Sequence, residues 1–110
     1  MPNTYKILGQ VNPSANTQTN VDVVPAATEV VINSIQISNQ AATNASYSLM
    51  VMPTYAASAS APDFIVRGAT VPAADTIFLT IGLTANATTV VAANTNSPNV
   101  SFSIFGSEIT

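Results

Sequence analysis

The fold is decided by Thr76-Ile77-Phe78-Leu79-Thr80-Ile81-Gly82-Leu83, in which every second residue is a branched aliphatic one. Successive side chains of a β-strand point to opposite faces of the sheet, so a period of two gives this segment one apolar face. The pattern therefore predicts a strand that buries this face. The apolar residues concerned are Ile77, Leu79, Ile81 and Leu83.

Short runs rich in Val, Ile, Thr, Phe and Tyr recur along the rest of the chain, and Pro, Asn, Ser and Gly separate them. This composition is typical of strands joined by turns. Further strands are predicted at residues 5–10, 17–24, 29–39, 47–52, 64–70, 88–93 and 100–105. About eight short strands at this spacing predict an all-β fold, an antiparallel β-sandwich that is jelly-roll-like.

The strands at residues 29–39 and 47–52 are joined by a short polar segment of Gln, Ala, Thr and Asn residues. A turn of this composition between two strands predicts a hairpin. Within the first of the two strands, strict alternation places Val31, Ile35 and Ile37 on one face.

The tetrapeptide Val-Pro-Ala-Ala occurs twice, at residues 24–27 and 71–74, and each copy precedes a long β-rich segment. Two similar halves would suit a sandwich of two sheets, so the pattern is compatible with an internal duplication but does not favour it. The alternative is a shared turn geometry without duplication, since Pro and small residues are common in turns.

The length of 110 residues is typical of one domain, and we expect a single β-sandwich domain over residues 1–110. Residues 1–4 lack a core-forming pattern, which predicts a short N-terminal arm ahead of the first strand. No apolar run approaches the ~20 residues of a membrane-spanning helix, and the first residues lack the basic and apolar regions of a secretory signal. We therefore expect no membrane partner and no export by the general route.

Charge is scarce, with two basic and five acidic residues in the chain. The charged fraction of 6% is far below the roughly 25% of an average soluble domain, which predicts a surface that is largely covered in an assembly. The alternative is a free surface of Asn, Thr, Ser and Gln, which are abundant here and well solvated. Two basic side chains are too few to neutralise a phosphate backbone, so nucleic acid is not an expected partner.

The chain lacks the residues of common catalytic and metal sites. It has no His and no Cys, which removes the usual general base, the thiol nucleophile and the commonest zinc ligands. Its acidic residues are isolated from one another along the sequence, and its four glycines form no phosphate-binding loop. We therefore expect neither an enzyme nor a cofactor or metal site.

Four residues are candidates for an interface with a partner: Arg67, Met50, Met52 and Tyr55. Arg67, the only arginine, has a planar set of donors that suits protein interfaces, and the alternative for it is a local surface pair with Asp63. Both methionines alternate with the predicted core residues of their strand. They are therefore exposed and in need of a partner, unless the monomer itself covers both faces of the sheet.

Three parts of the chain carry a resemblance to a known class of proteins: Tyr5-Lys6-Ile7-Leu8-Gly9-Gln10, Val24-Pro25-Ala26-Ala27-Thr28 with Ile35-Gln36-Ile37-Ser38-Asn39, and Phe102-Ser103-Ile104-Phe105-Gly106-Ser107-Glu108-Ile109-Thr110. They resemble small virion structural proteins of tailed bacteriophages, especially aquatic ones, and the ending FGSEIT is the most specific piece. The resemblance covers nearly the whole chain. It implies a place in the virion and leaves head and tail positions open.

These observations together predict a structural protein of the virion. The leading hypothesis is a capsid decoration, or cement, protein that forms a homotrimer, binds the major capsid protein on the outer surface of the head and stabilises the shell. One alternative is a tail, neck or baseplate module of the same particle. Another is a carbohydrate-binding module of a host-recognition fibre, for which the chain offers Tyr5, Tyr47 and Tyr55 but no Trp.

Overall fold

The computed structural model describes residues 3–53 and 61–109, apart from the side chains of Asn3 and Ile81. They form eight strands and one three-residue 3-10 turn, Ala61–Asp63. The strands are β1 (Asn3–Val11), β2 (Thr19–Val23), β3 (Glu29–Asn39), β4 (Ala45–Met52), β5 (Phe64–Val71), β6 (Thr76–Ala85), β7 (Val90–Thr95) and β8 (Val100–Ile109).

The strands form two antiparallel sheets of four strands each. Sheet A has the order β1-β8-β3-β6, and sheet B has the order β2-β7-β4-β5. Buried apolar residues of both sheets pack together in one core. This strand order is that of a jelly roll, so the prediction of an all-β antiparallel sandwich of about eight strands is confirmed.

The predicted hairpin between β3 and β4 is wrong, because the two strands lie in different sheets. Both strands carry an apolar face, and placing them on opposite sides of the core buries both faces. The connection is held by the buried side chain of Asn39, whose Nδ2 donates to the carbonyl oxygens of Thr43 at 2.9 Å and Val71 at 3.2 Å. Its Oδ1 accepts a hydrogen bond from the backbone N–H of Ala41 at 3.0 Å. Asn39 thus ties this connection to the last residue of β5.

The alternation of β3 is interrupted at Asn33, which is exposed. The register of β3 against β6 and β8 shifts beside this residue, and such a bulge changes which positions face the core. Grouping Val31 with the later isoleucines is therefore wrong, since Val31 points away from the core. The core-facing residues of β3 are Val30, Ile32, Ile35 and Ile37, all of them buried.

The two sheets meet through a pair of aromatic rings. Phe102 on β8 is fully buried, and the centre of its ring is 6.2 Å from that of Tyr47 on β4. The planes of the two rings are tilted by 59°, and the distance between the ring centres is in the range of favourable aromatic pairs. Full burial of a side chain of this size stabilises a fold by about 1.5–3 kcal/mol.

The inner face of β6 packs against the same core, as its alternation predicts. Ile77, Leu79 and Leu83 are nevertheless only half-buried, because β6 is an edge strand with a paired neighbour on one side. The side chain of Ile81 lies outside the described residues.

Each Val-Pro-Ala-Ala segment forms a turn that carries the chain from sheet B to sheet A. The second alanine has a positive φ in both turns, 56° at Ala27 and 53° at Ala74. The leading valines, Val24 and Val71, are both buried. The two segments therefore share a turn geometry, at a cost of about 1–2 kcal/mol for each non-glycine residue in the left-handed region.

The first strand begins earlier than predicted and the last strand ends later. Asn3 and Thr4, which the sequence assigns to an N-terminal arm, pair with Ile109 and Glu108 of β8. The arm prediction is therefore wrong for these two residues, and residues 1–2 lie outside the described part of the chain. The reason is that backbone N–H and C=O groups pair in a sheet whether or not their side chains are apolar.

Candidate interaction surfaces

Met50 and Met52 are buried, each with 1% of its surface exposed. They pack with Val90, Ala92 and Phe64 on the side of sheet B that faces away from the core, and we call these five residues the outer cluster of sheet B. The prediction that the two methionines are exposed interface residues is wrong, because their flexible side chains pack with these neighbours and keep almost none of their surface exposed. At these two positions the monomer itself covers the second face of the sheet, which was the alternative to an interface role.

Arg67 lies at the border of the outer cluster of sheet B. Its guanidinium carbon is 4.5 Å from the centre of the Phe64 ring, a distance at which the cation is attracted to the face of the ring. Arg67 is exposed, so its charge stays at the surface while the ring orients it. An interface role for Arg67 remains a prediction, and Tyr55, the fourth candidate, lies outside the described residues.

The side of sheet A that faces away from the core differs from this border in its lack of charge over three rows of residues. The cross-strand register aligns residues of all four strands in three rows. The rows are Tyr5, Ser107, Val31 and Thr84; Ile7, Phe105, Ser34 and Thr80; and Gln10, Ser103, Gln36 and Phe78. We call these three rows the outer face of sheet A. None of these residues carries a charge.

Three large apolar side chains extend from this face into the solvent. Tyr5 is 76% exposed, Phe78 is 64% exposed and Ile7 is 53% exposed. Tyr5 and Ile7 are two residues apart on β1, so they lie side by side, and Phe105 lies next to Ile7 on β8. Apolar side chains grouped on an exposed surface are typical of interaction sites.

Sequence patterns alone do not single out these residues. Alternation identifies Phe78 as a residue between two core positions, Ile77 and Leu79, and assigns it to the solvent side of its strand. The available signal is that an aromatic residue occupies a position where Thr or Ser is usual. Tyr5 gives a related signal, because Ile7, another large apolar residue, lies two positions away on the same face of the strand.

Three charged side chains meet where β1, β2 and β8 come together. Lys6 Nζ donates to Glu108 Oε1 at 3.2 Å. Asp22 lies in the field of both groups, and its Oδ2 atom is buried without a hydrogen-bond partner. Burial is the main cause that raises the pKa of Asp22 above its ordinary value of 3.8, and the negative charge of Glu108 raises it further. The charge of Lys6 and the backbone N–H of Val23 have the opposite, smaller effect.

A shallow depression of about 330 Å³ borders the outer face of sheet A. Its lining includes the amides Gln10 and Asn12 and the hydroxyls Ser101 and Ser103, and it contains no charged residue. Amide and hydroxyl groups of this kind are suited to hydrogen bonding with a neutral polar ligand.

Among residues 3–53 and 61–109, no group of three or more His, Cys, Asp or Glu side chains could hold a metal ion. The same residues include no helix that is long and apolar enough to cross a membrane. No protein-family model matches the chain, and no curated protein matches it significantly.

Proposed function

We propose that the chain is a structural protein of a tailed-bacteriophage virion, a decoration protein that binds the major capsid protein on the outer surface of the head and stabilises the shell. The observation that carries the proposal is the outer face of sheet A, which is uncharged and presents three exposed apolar side chains. The resemblance of the ending FGSEIT supports the same assignment. Jelly rolls occur in viral capsid domains as well as in lectins and cupins, so the fold is compatible with this function and with others.

The stabilisation would follow from mass action. A protein that binds the assembled shell and not its free subunits stabilises the shell by its binding free energy at every site. Apolar area removed from water contributes about 25 cal/mol per Å², and a face four strands wide offers such area without the cost of desolvating charges. The homotrimer belongs to this proposal, because three linked copies bind one surface more tightly than a single copy does.

The copy number of the chain in virions tests the assignment. Quantitative mass spectrometry of purified particles of the encoding phage, calibrated on the major capsid protein, should find hundreds of copies. On the order of a dozen copies or fewer would instead indicate a symmetric ring in the tail, neck or baseplate. Absence from purified virions would overturn the proposal.

A binding assay tests the surface. Shells that lack the protein should bind the purified wild-type chain, and Tyr5→Lys should weaken this binding by about tenfold or more, because a lysine charge would have to be desolvated in the contact. Ile65→Lys is the matched control, since Ile65 is 40% exposed on β5 of the other sheet. Equal binding by both variants and the wild type would exclude the outer face of sheet A.

The depression beside sheet A favours one alternative, a carbohydrate-binding module of a host-recognition fibre. Its amides and hydroxyls could bind sugar hydroxyls, and Tyr5 is an exposed aromatic residue on the neighbouring face. A glycan array would decide this alternative. Binding that is lost in Asn12→Ala supports it, and an array without binding removes it.

A further inference from the structure

The four edge strands of the sandwich differ in how their free side is protected. Unpaired backbone groups of an edge strand bind other chains, and proteins commonly block them with charges, Pro, bulges or a covering segment. β1 and β2 lie against each other, and Gly9 is so close to the carbonyl oxygen of Val21 that a Cβ atom at Gly9 would overlap it. β5 carries the charged Arg67, Gly68 with a φ of 69°, and two register shifts against β4.

β6 is an unprotected edge over its first half. Its ten residues include no charged residue and no Pro. Residues 76–80 pair with β3 in an unbroken register, from Ser38 to Ser34, and the register shift comes after them. Among the described residues, no strand pairs with the other side of β6. Backbone groups of a paired strand point alternately towards its neighbour and away from it, so every second residue of this segment directs its N–H and C=O to the free side. The N–H of Thr76 is bonded to Oδ1 of Asp75 at 2.8 Å, so the unblocked groups lie within residues 77–80.

The sequence of this segment is self-complementary. Thr76-Ile77-Phe78-Leu79-Thr80 reads as Thr, aliphatic, Phe, aliphatic, Thr in both directions. If two copies pair antiparallel about a two-fold axis at Phe78, Thr76 lies opposite Thr80 and Ile77 lies opposite Leu79. Aromatic, aliphatic and Thr–Thr pairs are among the cross-strand pairs that stabilise sheets, each by roughly 0.2–1 kcal/mol relative to Ala–Ala.

The burial of these residues indicates what the pairing would cover. Phe78 is 64% exposed on the outer face, and a second Phe78 directly opposite would shield it. Ile77 and Leu79 are half-buried on the inner face, and their counterparts in a second copy would extend the core across the junction. A second copy of this chain therefore matches the edge on both of its faces.

We propose that β6 is a self-association edge, through which two copies of this chain pair at residues 76–80 about a two-fold axis at Phe78. The two A sheets then form one continuous sheet of eight strands. This inference does not depend on the virion function. It is compatible with the homotrimer, because a shell has local two-fold as well as three-fold axes, and β6 pairs would connect neighbouring trimers.

Cysteine cross-linking tests the register. Directly opposite residues of antiparallel strands have Cα atoms about 4.5–5.5 Å apart, within the roughly 4.4–6.8 Å that a disulfide requires. Phe78→Cys, in a chain without other cysteines, should form cross-linked pairs under mild oxidation. Thr76→Cys and Thr80→Cys should cross-link with each other when mixed, and much less when oxidised separately. Ile65→Cys is the control, and cross-linking of Phe78→Cys no faster than this control would overturn the proposal.

Charge substitution tests the energetics without a covalent bond. Phe78→Lys places two like charges opposite each other at the axis, which should weaken the association of two copies by about tenfold or more. Sedimentation equilibrium over a concentration series measures the effect, and circular dichroism confirms that the exposed substitution leaves the fold intact. Ile65→Lys should associate as the wild type does. A wild-type chain without concentration-dependent association, or equal association of Phe78→Lys and wild type, would contradict the β6 edge.

Discussion

Met50 of sheet B and Phe78 of sheet A both point away from the core, yet Met50 is buried and Phe78 is exposed. Met50 lies on β4, which has paired strands on both sides, and it packs within the outer cluster of sheet B. Phe78 lies on the edge strand β6, opposite Gln36 of the neighbouring strand. The monomer thus covers the outer cluster of sheet B, beside which Val23 is 51% exposed, and leaves the larger side chains of Tyr5 and Phe78 on the other face available to a partner.

The two outer faces also differ in their use of charge. Arg67 lies on the Phe64 ring at the border of the outer cluster of sheet B, whereas the three rows of the outer face of sheet A carry no charge. Glu29 lies one row beyond Val31 on that face, where it pairs with Ile109. A contact limited to the three rows therefore avoids the free-energy cost of desolvating a charge.

The largest effect should come from truncating matched residues on the two faces. Met50→Ala should lower the free energy of unfolding by about 2–5 kcal/mol, because it leaves a cavity in a buried cluster. Phe78→Ala should change it by less than about 0.5 kcal/mol in the monomer, because the ring is mostly in solvent. Urea denaturation at a protein concentration below self-association measures both.

Two results of the denaturation experiment would contradict this difference between the faces. If Met50→Ala costs less than about 1 kcal/mol, the outer cluster of sheet B is not packed as described. If Phe78→Ala costs as much as Met50→Ala at every protein concentration, the ring is covered within the monomer and the outer face of sheet A is not free.

An intermediate effect on stability is expected from alanine substitution of two glycines in sheet A, because only one of them lies close against a neighbouring strand. A Cβ atom at Gly106 of β8 would overlap the carbonyl oxygen of Val31 on β3, whereas a Cβ atom at Gly82 of β6 would meet no atom within 4 Å. Gly106→Ala should therefore cost about 1–3 kcal/mol or more. Gly82→Ala, the control, should cost less than about 0.5 kcal/mol. Equal thermal stability of the two variants would show that β8 and β3 are less closely packed than described.

The smallest effect concerns Asp22, which lies near the charged side chains of Lys6 and Glu108. Because the pKa of Asp22 is raised in the folded chain, its contribution to stability is full below the unfolded pKa and is lost as pH rises through the folded pKa. Asp22→Asn should therefore raise the melting temperature at neutral pH, and the difference should shrink as pH falls towards 3.8, the ordinary pKa of the group. A pH-independent difference would assign the effect to hydrogen bonding.

Much of the fold follows from the sequence, because the alternation of apolar residues is a direct consequence of strand geometry. The period of two in β6 correctly identifies Ile77, Leu79 and Leu83 as core-facing. The same rule fails in β3, because the bulge at Asn33 adds one residue and changes the face of those that follow. The polar composition after β3 predicts a hairpin, but the chain passes to the other sheet there through a connection that the buried Asn39 holds.

The candidate site was harder to predict, because exposure depends on tertiary neighbours. Met50 and Phe78 have equivalent positions in the alternation of their strands, and only the packing around each strand distinguishes them. The scarcity of charge does predict a chain that depends on contacts with other surfaces, but it does not locate them. Their location requires the strand order, which places Tyr5, Ile7 and Phe78 on one face.

In the proposed orientation, the outer face of sheet A contacts the shell and the outer cluster of sheet B does not. A cryo-EM reconstruction of the virion that resolves side chains tests it most directly. We predict that Tyr5 and Ile7 lie against the major capsid protein and that Met50 and Phe64 lie on the side turned away from it. A map in which Tyr5 and Ile7 face the solvent, while sheet B contacts the capsid, would contradict the proposed orientation.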